Sequence, residues 1–173
     1  LKDFPDALRM IGLLEWMVVF EACMTDSPIA DFPTAPASTP DASIVLELRI
    51  DWSEVDPFGH VNNLAIMKYV QAARIKFLET IGMMQHHAET RVGPTLVASH
   101  CQFKKQLFYP GQVIVVARTE ALGSTSFQIK HTVMDASQSI VAEAIDVLVL
   151  LDFNANAKRV IPDVFRERIL SHR

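Results

Sequence analysis

Trp52-Ser53-Glu54-Val55-Asp56-Pro57-Phe58-Gly59-His60-Val61-Asn62-Asn63 is the stretch on which the reading of this chain turns. Pro57 biases Asp56 toward an extended backbone and so helps to fix the direction of its carboxylate. Gly59 has no side chain, so a ligand can approach the backbone closely there. Asn62 or Asn63 can cap the helix that follows. The first turn of that helix offers N–H groups with no intrahelical partner, at the positive end of its dipole. A carboxylate beside oriented donors is what acyl transfer requires: a base or nucleophile, and a site for the oxyanion.

The chain on either side is regular. Before this turn, Ile44–Ile50 (IVLELRI) is aliphatic and β-branched, as a strand should be. After it, Asn62–Ile81 has helical periodicity, with Ile66, Val70, Ala73, Phe77 and Ile81 on one face and Gly82 just past the end. Pro94–Phe103, Gln112–Leu122, Thr125–Asp135 and Ser139–Asp152 read as strands joined by short turns. Such short connections make neighbouring strands antiparallel. The expected fold is therefore α+β, one long helix against a roughly five-stranded antiparallel sheet.

Residues 1–43 differ from this pattern and are expected to be a separate N-terminal segment and linker preceding a domain of residues 44–173. Pro28, Pro33, Pro36 and Pro40 lie among small and polar residues, which predicts an extended linker. Met10–Phe20 is apolar but broken by Glu15, and its eleven residues are too few to span a bilayer. It fits a signal peptide poorly as well, with Asp3 and Asp6 ahead of it. Deleting residues 1–42 is expected to leave fold and activity nearly intact.

Composition narrows the classes further. A net charge of −4 argues against a nucleic-acid partner, whose phosphates call for a basic surface. Cys23 and Cys101 stand 78 positions apart and form no CxxC pair. They provide neither a disulfide framework nor a zinc knuckle, so a reducing, cytoplasmic setting is expected. No P-loop, dinucleotide fingerprint or clustered metal-ligand set is present, and the expectation is no metal and no resident cofactor.

The segment Asp56–Asn63, continued by Met67-Lys68-Tyr69-Val70-Gln71-Ala72-Ala73-Arg74 and Gly82, resembles the hotdog-fold thioesterases of the 4-hydroxybenzoyl-CoA thioesterase type. Acyl-ACP thioesterases carry a similar turn. The likeness runs from about Ile44 to Leu170. It takes in Phe103-Lys104-Lys105-Gln106-Leu107, the Pro110-Gly111 turn and Thr125-Ser126-Phe127. It implies a hotdog fold, dimers or tetramers joined edge to edge through their sheets, and active sites at the dimer interface. It also implies hydrolysis of acyl-CoA or acyl-carrier thioesters, with coenzyme A entering only as part of the substrate. The alternative is a non-catalytic acyl-binding or scaffolding protein on the same fold.

Carried over by the resemblance, Asp56 matches the catalytic carboxylate, and Glu54 a second, supporting acid. Gly59, His60, Val61, Asn62 and Asn63 match the turn whose amides polarise the thioester carbonyl. His60 and Asn62 also match positions that line or brace it, and with Asp56 they are the catalytic candidates, His60 as an activator of water. Ser124 and Thr125 stand where some members carry basic residues that grip coenzyme A phosphates.

Plainer readings stand beside these. Asp56 can be a turn aspartate, His60 a brace, and Asn62 and Asn63 helix caps. Arg74 is expected to be paired or solvated, and His131 to be a satisfied core or interface histidine. Cys101 is expected to be a strand residue, and His86-His87 to lie on a loop. Of Lys104 and Lys105, as neighbours on a strand, at most one should face a given site.

Overall fold

The computed structural model describes residues 43–173. The expectations for the N-terminal segment and linker fall, apart from Ser43, outside the described residues.

Strand β1 (Ile44–Arg49) is followed by a 3₁₀ turn at Trp52–Glu54 and helix α1 (Asn63–Thr80). A short helix α2 (Met83–Thr90) leads into β2 (Val92–Phe103), β3 (Gln112–Leu122), β4 (Ser126–Asp135) and β5 (Ile140–Asp152). A two-residue strand β6 (Ala157–Lys158) and helix α3 (Asp163–Leu170) complete the described chain. The sheet order is β1-β3-β4-β5-β2, with β6 beside β5, and every pairing is antiparallel. This is the expected hotdog arrangement.

Helix α1 forms where its apolar face demands it. Ile66, Val70, Ala73, Phe77 and Ile81 are all buried, as their spacing predicts, together with Ala65, Tyr69 and Leu78. The helix packs on β1, β3 and β4, where Phe77 stacks on Phe127 with ring centroids 6.5 Å apart. Burying a side chain of this size contributes roughly 1.5–3 kcal/mol. The helix stops because Gly82 adopts left-handed backbone (φ +82°), which a β-carbon disfavours.

Three expectations need correction. His86 and His87 are not on a loop: the chain restarts as α2 directly after Gly82. His86 packs against Phe165 and His87 against Phe153. Lys104 and Lys105 are not on a strand, because β2 ends at Phe103. Both of their amides donate to the carbonyl of Val141, at 2.8 and 3.1 Å, so strand alternation no longer separates their side chains.

The third concerns β5: the run Val147–Leu151, apolar on both faces, leads the sequence alone to expect a subunit contact there. It lies inside the sheet, paired on both sides by β4 and β2. The strands at the ends of the order are β1 and β2.

Candidate active site

Asp56 sits in a small loop closed by an antiparallel bridge between Val55 and Val61. The Asp56 amide donates to the His60 carbonyl at 2.8 Å, and the Gly59 amide to the Asp56 carbonyl at 3.0 Å. Gly59 takes left-handed backbone at φ +82°, while a β-carbon there would meet nothing within 4 Å. Conformation, not lack of room, is what calls for glycine at this point. The Asp56 carboxylate is held through Oδ1, which accepts from the amides of Phe58 at 2.8 Å and His60 at 3.2 Å. Oδ2 makes no hydrogen bond among the described residues.

The amides that lead into α1 are nearly all committed. Val61 N–H donates to Leu107 and Asn62 N–H to Glu54, each at 2.8 Å. Leu64 N–H is capped by Asn62 Oδ1 at 2.8 Å, and the amides of Ala65 and Ile66 both reach the Asn62 carbonyl. Asn63 N–H, at the positive end of α1, is the one backbone amide among residues 58–66 with no partner among the described residues. So Gly59 and Val61, expected as polarising amides, spend their N–H groups within the fold, while Asn63 keeps its own.

Asp56, His60, Val61, Asn63 and Ile66 line one side of a cleft of about 410 Å³, and Phe103–Leu107 the other. Both Lys104 and Lys105 reach this cleft. Each is already paired, Lys104 with Glu143 at 2.5 Å and Lys105 with Asp135 at 2.7 Å, although Glu143 is shared with Lys130 at 3.6 Å. His60 turns its ring edge-on to Phe108, with centroids 5.2 Å apart. The His60 ring makes no hydrogen bond among the described residues. What bracing His60 provides comes from its backbone and this packing.

Glu54 and Asn62 stand off the cleft. Asn62 is the cap of α1. Glu54 accepts from the Asp51 amide at 3.0 Å and from the Tyr69 hydroxyl, a partner that spacing in the sequence does not reveal.

Further along the helix, Arg74 Nη1 reaches Asp146 Oδ2 at 2.8 Å, and His131 Nε2 lies 3.0 Å from the same oxygen. Arg74 is thus paired and His131 is a core histidine, as expected. Burial alone would raise the Asp146 pKa, but the His131 hydrogen bond and the nearby positive charge hold it below the usual carboxylate value. Cys101 is half-buried on β2, and burial first, then the Asp146 charge, pushes its thiol up, away from nucleophile chemistry. No helix among the described residues is long and apolar enough to cross a membrane.

Known proteins resemble this chain in sequence and fold. YsmA, an uncharacterized protein of Bacillus subtilis (strain 168), is 29% identical over 86 residues, 49% of this chain and 56% of that one. The chain thus matches little more than half the length of that relative. The PA2801 protein from Pseudomonas aeruginosa is 27% identical at a TM-score of 0.66, covering 72% of this chain and 96% of that one. A thioesterase from Thermus thermophilus, solved with coenzyme A and Zn, is 25% identical at a TM-score of 0.64, covering 72% and 90%. Residues 50–169, spanning the Asp56 loop, α1 and the whole sheet beyond β1, match one family model, and by that match the chain belongs to the thioesterase-like superfamily.

Proposed function

We propose that this chain hydrolyses acyl-CoA, or a related acyl-carrier thioester, to a free acid and a thiol. One observation carries the reading: a carboxylate steadied by two amides and the single uncommitted amide of the helix start line the same cleft. The thioester carbonyl oxygen accepts a hydrogen bond from Asn63 N–H, where the helix dipole favours the negative charge that develops. Asp56 Oδ2 then acts in one of two ways. As a nucleophile it adds to the carbonyl and expels the thiolate, leaving a mixed anhydride that water opens. As a base it takes a proton from water, whose oxygen adds to the carbonyl before the C–S bond breaks. In both routes the thiolate leaves without a strong acid, because a thiol is far more acidic than an alcohol.

Glu54 supports the loop, His60 lines it, and Asn62 sets the helix start. The scheme uses no resident cofactor; coenzyme A comes and goes with the substrate. A homodimer formed along an open sheet edge is part of the proposal, since open edges are commonly paired or covered.

A free-thiol assay over a panel of acyl-CoA thioesters tests the reaction class. Turnover on at least one member is expected, whereas a folded protein idle on all of them would favour an acyl-binding role. Asp56→Asn keeps the size of the side chain and removes its charge. It should lower kcat by about two orders of magnitude or more with KM little changed. Near-normal turnover in that variant would show the assigned residue to be wrong. A single turnover in ¹⁸O water separates the two routes: label in the Asp56 carboxylate marks attack by Asp56.

A further inference from the structure

Tyr69 is the one residue on the buried face of α1 with a polar tip. A phenylalanine would fill the same space, and a buried hydroxyl must find a partner. The partner it finds is Glu54, fifteen residues earlier in the chain and two residues before Asp56. Glu54 Oε2 accepts the Tyr69 hydroxyl and also the Asp51 amide, closing the capping box of the 3₁₀ turn. The Glu54 carbonyl meanwhile accepts the amide of Asn62, the cap of α1. One residue is therefore fastened to α1 twice, by its side chain two turns into the helix and by its backbone at the helix start. The Val55–Val61 bridge follows at once, and Asp56 is the next residue.

We propose that Tyr69 is a positioning residue for Asp56, acting through Glu54, whose carboxylate it clamps to the helix that presents Asn63 N–H. The proposal rests on Asp56 being the reacting carboxylate. The far end of the Asp56 loop runs directly into α1; at the near end this clamp is the side-chain tie to the helix, beside the backbone bonds of the 3₁₀ turn and the Val55–Val61 bridge. Carboxylate and amide must converge on one carbonyl, so the spacing between loop and helix is the quantity the clamp controls. A displacement of about 1 Å in such a constellation is enough to cost orders of magnitude in rate. A hydrogen bond to a charged acceptor is stronger and more directional than a neutral one, which suits this task. Burial, and then the Glu54 hydrogen bond, also push the Tyr69 phenol above its ordinary range, so it remains a donor wherever the enzyme works.

Tyr69→Phe removes the hydroxyl and keeps the ring. It should lower kcat about tenfold while KM stays within about twofold, since substrate contacts are untouched. In an Asp56→Asn background the same change should cost almost nothing, because the group it positions is no longer reactive. A merely structural hydroxyl would lower the yield of active protein equally in both backgrounds. The proposal is overturned if folded Tyr69→Phe keeps kcat within twofold of the parent, or loses the same factor in both backgrounds. Should Tyr69→Phe fail to fold, Glu54→Ala cuts the clamp from its surface end, and unchanged kcat there overturns the proposal equally. Full turnover in Asp56→Asn alone would instead sink the functional reading beneath it, so the two failures are distinguishable.

Discussion

Asn62 works at both of its ends. Its side chain caps Leu64 N–H, and its amide ties the helix start to Glu54. Asn62→Ala should cost about 1 kcal/mol in urea unfolding, the usual loss for a cap. Asn62→Asp should restore that stability, since Asp caps equally well. It should still slow turnover, because a negative charge at the helix start, next to Asn63, weakens the positive field in which the developing oxyanion is held. Tyr69 gives a pH signature. The folded chain holds the phenolic proton more tightly than the unfolded one, whose pKa stays near 10.0. That contribution is complete below about pH 10 and is lost as pH rises above it. Thermal midpoints from pH 9 to 11 should therefore fall more steeply in the parent than in Tyr69→Phe. Asp56 and the cap were legible in sequence because Asp-Pro-x-Gly before Asn-Asn is local chemistry. The Tyr69–Glu54 link and the free amide of Asn63 were not, since both depend on which groups the folded chain leaves paired.

At the scale of elements, α1 is joined to the sheet by an ion pair as well as by its apolar face. Arg74 and Asp146 have side-chain exposures of only 14% and 0%. Arg74→Ala leaves the buried Asp146 carboxylate with its His131 partner but without the arginine hydrogen bond, and should destabilise the fold by about 1.5–3 kcal/mol in urea titrations. The Asp146 pKa is lowered in the folded state, so its contribution is present above about pH 4 and lost as pH falls below it. Thermal midpoints between pH 5 and 2 should show this limb, and Asp146→Asn should flatten it. Strand limits were readable to within a residue or two, because turn residues bound each alternating run. Helix α2 was hidden by Gly82, which signals a stop and says nothing about an immediate restart. Helix α3 was hidden by brevity: Phe165 and Ile169 alone mark its buried face. The lysine pair misled because alternation holds only while the ladder lasts, and here it ends one residue earlier.

At the scale of the whole molecule, β2 is the longer of the two strands at the ends of the sheet order, and it leaves Leu96 40% and Phe103 49% exposed. Long apolar edges of this kind are rarely left bare. Light scattering should therefore return at least roughly twice the 19.4 kDa chain mass at micromolar concentration, and Leu96→Lys should shift the protein toward monomer. A monomeric parent protein would refute this edge as an interface. Helix α1 has a further consequence. The donor amide at its start, the Tyr69 anchor, the Arg74 ion pair and the Phe77 ring all belong to one rod of eighteen residues. The helix side of the proposed site thus has no hinge of its own within α1, and the Asp56 loop is tied back to that same rod through Glu54. As urea is raised, turnover and near-ultraviolet circular dichroism should vanish along one curve: the molecule is catalytically intact until it is no longer folded.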